Sequence, residues 1–114
     1  MRIEIRRNGE AVIVTFDTQA EKFTSNSERN RFFHELHGWK QTVPSGGKRY
    51  VYRRSGLLDE IPHIKVADSA FIVAMEHFDR VEKFFDGWAD KVECDMMRIM
   101  MQDTERLRRL AGQE

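Results

Sequence analysis

The chain has 114 residues, 40% hydrophobic and 33% charged, with 19 Lys+Arg offset by 19 Asp+Glu. That length suits one domain with a real core under a well-solvated surface, which excludes bulk disorder. No stretch approaches the about 20 consecutive apolar residues of a membrane span, and the lone Cys94 excludes an internal disulfide and a cysteine-cluster metal site.

The opening Met1-Arg2-Ile3-Glu4-Ile5-Arg6-Arg7 alternates charged and apolar residues and carries no continuous apolar run, so no signal peptide is expected. With a single cysteine, this predicts a cytoplasmic protein with no membrane contact. Ile3 and Ile5 would share one face of a strand over 2–7, and Ala11 to Phe16 is nearly all apolar and β-branched, as in a central strand covered on both sides. Asn8-Gly9 between them is a strong signal for a tight hairpin.

Residues 17–26 form a polar connection. Ser25, Asn26 or Ser27 can then cap a helix over about 28–36, which stops at Gly38. Phe32, Phe33 and Leu36 make its apolar stripe. Gln41 to Gly47 reads as a turn, and 48–54 as a strand. Leu57, Leu58 and Ile61 fit one helical turn before Pro62, and Ile64-Lys65-Val66 a short extended piece.

Ala70 to Met75 is a second strongly apolar strand. From Glu76 or His77 a helix carries Phe78, Val81, Phe84 and Phe85 at core spacing and ends near Gly87. Val92, Cys94 and Met96 alternate as a strand candidate that 97–101 continues, and 102–114 has the composition of a terminal helix or frayed tail. The order over 11–101 is β-α-β-β-α-β. The expected fold is α+β: a ferredoxin-like βαββαβ sandwich with an extra N-terminal hairpin strand and a short C-terminal helix. One domain spans 1–114, divided into a 1–16 hairpin, a 17–101 core and the 102–114 tail.

Charge is uneven along the chain. Residues 1–58 hold 11 Lys+Arg against 6 Asp+Glu, while 59–95 hold 4 against 10. From Leu36 to Leu58 there are five basic residues and no acidic one. Within that stretch Arg49, Val51 and Arg53 fall on one face of a strand, and Tyr50, Tyr52 and Arg54 on the other. Arginine forks grip phosphates and tyrosine rings stack on unpaired bases, so Lys48, Arg49, Tyr50, Tyr52, Arg53 and Arg54 are the candidate contacts to single-stranded nucleic acid. The same charges would also guard an exposed strand edge against pairing with another sheet.

Other chemistry is thinner. Asp17 ends the apolar run 12–16, and this stretch locally resembles small nucleases built on a ferredoxin-like fold, in which such an aspartate holds a divalent metal. The leading hairpin and the long 40–62 segment depart from that pattern. His34 and His37 are spaced to share a helix face, but further metal ligands would have to come from His63, His77 or Cys94, far away in sequence. Cys94 shares the apolar parity of Val92, as a core residue would. No glycine-rich phosphate loop precedes a helix.

The expected function is therefore a small non-enzymatic binding module with no cofactor and no metal. Met96, Met97, Ile99, Met100 and Met101 put apolar side chains on both faces of one segment, more than a one-sided sheet can bury. A homo-oligomer, or a protein-interaction module using this segment and the acidic 59–95 face, is the alternative.

Overall fold

A computed structural model describes residues 10–101 and Glu105. The elements are β1 (Glu10–Thr18), α1 (Asn26–His37), β2 (Trp39–Ser45), β3 (Lys48–Arg54), α2 (Leu57–Glu60), β4 (His63–Ala67), β5 (Ala70–Ala74), α3 (Phe78–Asp86) and β6 (Val92–Met100). Single 3-10 turns occupy Ala20–Lys22 and Met75–His77. Four strands make an antiparallel sheet in the order β4-β5-β1-β6, and among the described residues β2 and β3 pair only with each other. The fold is thus α+β with antiparallel sheets, and no helix among the described residues is long and apolar enough to cross a membrane.

Local chemistry sets the helix ends. Ser25 Oγ accepts from the Glu28 N–H at 3.2 Å, satisfying an orphan donor of the first turn of α1, and Glu28 Oε1 accepts from the Thr24 N–H just ahead of the cap at 2.7 Å. Gly38 ends α1 with φ +79°, and its N–H reaches the His34 carbonyl.

The alternation of β1 then builds the core. Val12, Val14 and Phe16 point to one side, where Phe71 and Val73 of β5 join them beneath Phe32 and Leu36 of α1 and Val81 and Phe85 of α3. Phe16 sits at the centre, its ring centroid 5.7 Å from Phe32 and 5.4 Å from Phe85. Trp88 closes the side, with its ring 5.4 Å from Phe32 and its indole N–H donating to Glu35 at 3.2 Å. Lys91 bridges Glu28 at 3.2 Å and Asp90 at 3.1 Å, tying the start of α1 to the entry of β6.

Three expectations change. The basic strand 48–54 does not enter the main sheet; β4 fills the position beside β5, because His63–Ala67 can lay Ile64 against Ile72 while 48–54 has no aliphatic row to bury. Of residues 41–47, expected as a turn, 41–45 belong to the strand Trp39–Ser45, and the turn itself is Gly46-Gly47. With φ of +59° and +79°, these glycines satisfy the two positive-φ positions of a type I′ turn.

The third change concerns β1, which is central but, among the described residues, covered by helices on one face only. On the other, Ala11 and Ala74 lie in a cluster with Ile64, Ile72, Ile99 and Met101 that contains no helix residue. Residues 92–100 are a strand as expected, and they form a sheet edge. The expected strand 2–7, its Asn8-Gly9 turn and the terminal helix lie outside the described residues; along 11–15, β1 is paired with β5 on one side and β6 on the other.

Of the predicted stripe residues, Phe32, Leu36, Val81 and Phe85 are buried, and Phe33 and Phe78 pack against them partly exposed. Phe85→Ala is expected to cost about 3–5 kcal/mol through the cavity it leaves among Phe16, Phe32 and Phe71. Urea unfolding of the two proteins measures it, and a change below about 1 kcal/mol would contradict this core.

Candidate functional site

The β2–β3 ribbon stands on the root made by Gly38, Gly56 and α2. Seven residues of strand make an arm about 23 Å long at ~3.3 Å per residue, and every residue of Lys48–Arg54 is exposed. An isolated two-stranded hairpin is marginal in water, so the root has to hold it.

Arg53 and Asp59 do so. Arg53 Nη2 donates to Asp59 Oδ1 at 2.9 Å, to Oδ2 at 2.7 Å and to the His37 carbonyl at 3.0 Å, and Asp59 Oδ2 also accepts from the Gly56 N–H at 2.8 Å. One carboxylate thereby joins the end of α1, the last turns of β3 and the start of α2. The hydrogen bond from Gly56, ahead of the charge of Arg53, holds the Asp59 carboxyl below its ordinary value of 3.8. The approach is close enough that a side chain on Gly56 would run into the backbone of His37 and Gly38, and one on Gly38 into Asp59 and Arg54.

The pairing register sorts the ribbon into two faces. Trp39, Gln41, Val43 and Ser45 lie opposite Arg54, Tyr52, Tyr50 and Lys48 on the first. There the Arg54 guanidinium lies 5.5 Å from the Tyr52 ring centroid and donates through Nε to Gln41 Oε1 at 2.7 Å. Tyr50 and Tyr52 remain 45% and 47% exposed. The second face carries Lys40, Thr42 and Pro44 opposite Arg53, Val51 and Arg49. Lys40 directly faces Arg53, a like-charge pair that weakens a ribbon, and the ribbon itself holds five cations and no carboxylate.

Of the six residues singled out from sequence, Lys48, Tyr50, Tyr52 and Arg54 therefore share a face, Arg49 is on the other near the tip, and Arg53 is committed to the root. Sequence reasoning missed Trp39 and Gln41, which complete the aromatic face, and Asp59, which anchors it. The signal was the symmetry of 39–45 and 48–54 about Gly46-Gly47.

The other candidates disperse. His34 stacks on Trp39, centroids 4.6 Å apart and 12° between planes, whereas His37 stacks on Phe33 at 6.2 Å and 5°. The two rings serve different neighbours. Burial, then the charges of Lys65 and His63, pushes His37 below its ordinary 6.5, so it is neutral at pH 7. Asp17 is exposed at the end of β1, opposite Glu93 in the register, and the described residues contain no group of three or more His, Cys, Asp or Glu that could hold a metal. Cys94 is half-buried; its thiol is pushed up to about 11 by burial and by Asp95 and Asp86, leaving no thiolate at neutral pH.

Comparison with protein-family models, with curated proteins and with solved structures finds no match to this chain.

The anchor has a pH signature. Because the folded pKa of Asp59 is lowered, its contribution is complete above the ordinary carboxylate value and is lost as pH falls below 3.8 through the folded value. Asp59→Asn should speed amide hydrogen exchange in β2 and β3 at pH 7 while β1 and β5 stay protected, and the wild type should loosen in the same way only in acid. Unchanged exchange in the ribbon of the variant would contradict the anchor.

Proposed function

We propose that the protein is a small nucleic-acid-binding module that holds an unpaired strand along the ribbon. The observation that carries this is an exposed arm with five cations, no carboxylate of its own and two half-exposed tyrosine rings on one face. A ribbon selected for stability alone would pair Lys40 and Arg53 with acids across the strands, since opposite charges there stabilise and like charges cost. Lys48, Arg49 and Arg54 take phosphates, Tyr50 and Tyr52 take bases, and Arg53 keeps the arm upright. The chemistry asked of the site is binding alone, with no cofactor.

On this reading the body is a stand for the arm. Leaving out the ribbon, the order β1-α1-β4-β5-α3-β6 and the sheet order β4-β5-β1-β6 fit a split, ferredoxin-like βαββαβ unit into which the arm is inserted after the first helix.

A titration by fluorescence anisotropy tests the binding. Wild type should bind a labelled single strand most tightly at low salt, with log affinity falling by about 0.7 per contacted phosphate for each unit of log salt. Arg49→Gln with Arg54→Gln should flatten that slope, and Tyr52→Ala should weaken binding by about 1–3 kcal/mol with the slope kept. No binding by the wild type at low salt would reject the proposal and leave the charges as guards of an exposed edge.

The sheet face that no described helix covers favours a second reading, self-association. Ile13, Ile64, Ile72 and Ile99 are only partly covered there, and Met97 on the edge strand is 65% exposed. A two-fold contact through this face would cover it. Light scattering should then give twice the monomer mass, returning to the monomer in Met97→Glu; a monomer mass at all concentrations would reject this reading without touching the first.

A further inference from the structure

At the foot of the ribbon, its aromatic face opens into a cleft of about 600 Å³ between the ribbon root and the outer side of α1, lined by Ser27, Asn30, Arg31, His34, Glu35, Trp39 and Ser55. The volume lies within the roughly 300–1,000 Å³ of sites that enclose small organic groups. Ser27, Asn30, Arg31 and His34 fall at i, i+3, i+4 and i+7, so one stripe of α1 supplies the wall. Trp39 closes the ribbon end of the cleft, stacked on His34 with centroids 4.6 Å apart.

Charge chooses between the parts of a nucleotide. Arg31 is 3.6 Å from Glu35, which also lines the cleft, and lies over the Trp88 ring at 5.0 Å, so the one cation of the cleft is offset by a carboxylate beside it. A phosphate would gain little there. The side chains of Ser27, Asn30 and Ser55 make no hydrogen bond to another described residue. A planar, neutral group with donors and acceptors on its edge matches a lining that joins an aromatic ring to an amide and two hydroxyls.

We propose that this cleft is a nucleobase pocket, seating the base that follows those stacked on Tyr50 and Tyr52. It rests on the ribbon reading above and extends it: the ribbon grips the backbone, and the cleft examines one base. The rings of Tyr50, Tyr52 and Trp39 share a ribbon face, and Trp39 hands the path to α1. Asn30, whose amide can pair bidentately with an adenine edge, sets the preference of the pocket.

The experiment uses the whole chain and 12-nucleotide single strands of thymidine with one adenosine or one abasic position moved along them. Wild type should bind the thymidine strand and show its largest loss when one particular position is abasic. Asn30→Ala and, separately, His34→Ala should weaken the adenosine-containing strand by roughly tenfold, the scale of one stacked base, and erase that positional loss while the salt slope stays that of wild type. Wild-type affinity and an unchanged positional profile in both variants would overturn the pocket and leave the ribbon reading intact. Failure of wild type to bind any strand at low salt would overturn both. Asn30 is exposed, so its variant keeps the test valid if His34→Ala loosens the Trp39 stack.

Discussion

Everything distinctive about this molecule hangs on one carboxylate. Asp59, third residue of a four-residue helix, accepts from the Gly56 N–H and from the Arg53 Nη2 that also reaches the His37 carbonyl. Without it the ribbon would have only its own ladder, and two strands in water are marginal. The cost of the arm is visible in the same place: Arg53 faces Lys40 across the ladder, and the charge that relieves the repulsion comes from outside the ribbon. Gly38 and Gly56 are needed because the chain passes within backbone contact of itself there. Anchor and arm form a unit, and the stiffness of the one sets the reach of the other.

The body supports this by being asymmetric. Phe16, Phe32 and Phe85 concentrate the core on one side of the sheet, and the two long helices both lie there. The end of α1 is fixed by that core through Leu36, which is fully buried one residue before His37. A rigid α1 therefore sets the root of the ribbon and the wall of the cleft at once. The opposite sheet face and the β6 edge are far less covered, which separates any association between copies from the basic arm.

The core was legible in the sequence wherever burial imposed a period. Phe32, Leu36, Val81 and Phe85 could be named from helical spacing, and β1, β5 and β6 from apolar runs and alternation. The ribbon was half legible. Tyr50 and Arg54 announced themselves, but Trp39-Lys40-Gln41-Thr42-Val43 has no buried row, because both faces of the arm meet solvent, and Pro44 argued for a turn. Assigning 48–54 to the main sheet followed from the assumption that every strand helps to bury a core. Asp59 was invisible for another reason: its partner besides Gly56, Arg53, lies 6 residues away, and side-chain anchors leave no periodic trace.

The central claim is that unpaired nucleic acid lies on the face of the ribbon that bears Tyr50 and Tyr52. Amide chemical-shift mapping with a short unpaired oligonucleotide at low salt tests it directly. The account predicts perturbations concentrated at Trp39, Gln41, Lys48, Tyr50, Tyr52 and Arg54, with Ile13, Ile72 and Ile99 on the open sheet face unmoved. Saturable shifts confined to that sheet face, or none anywhere, would contradict it.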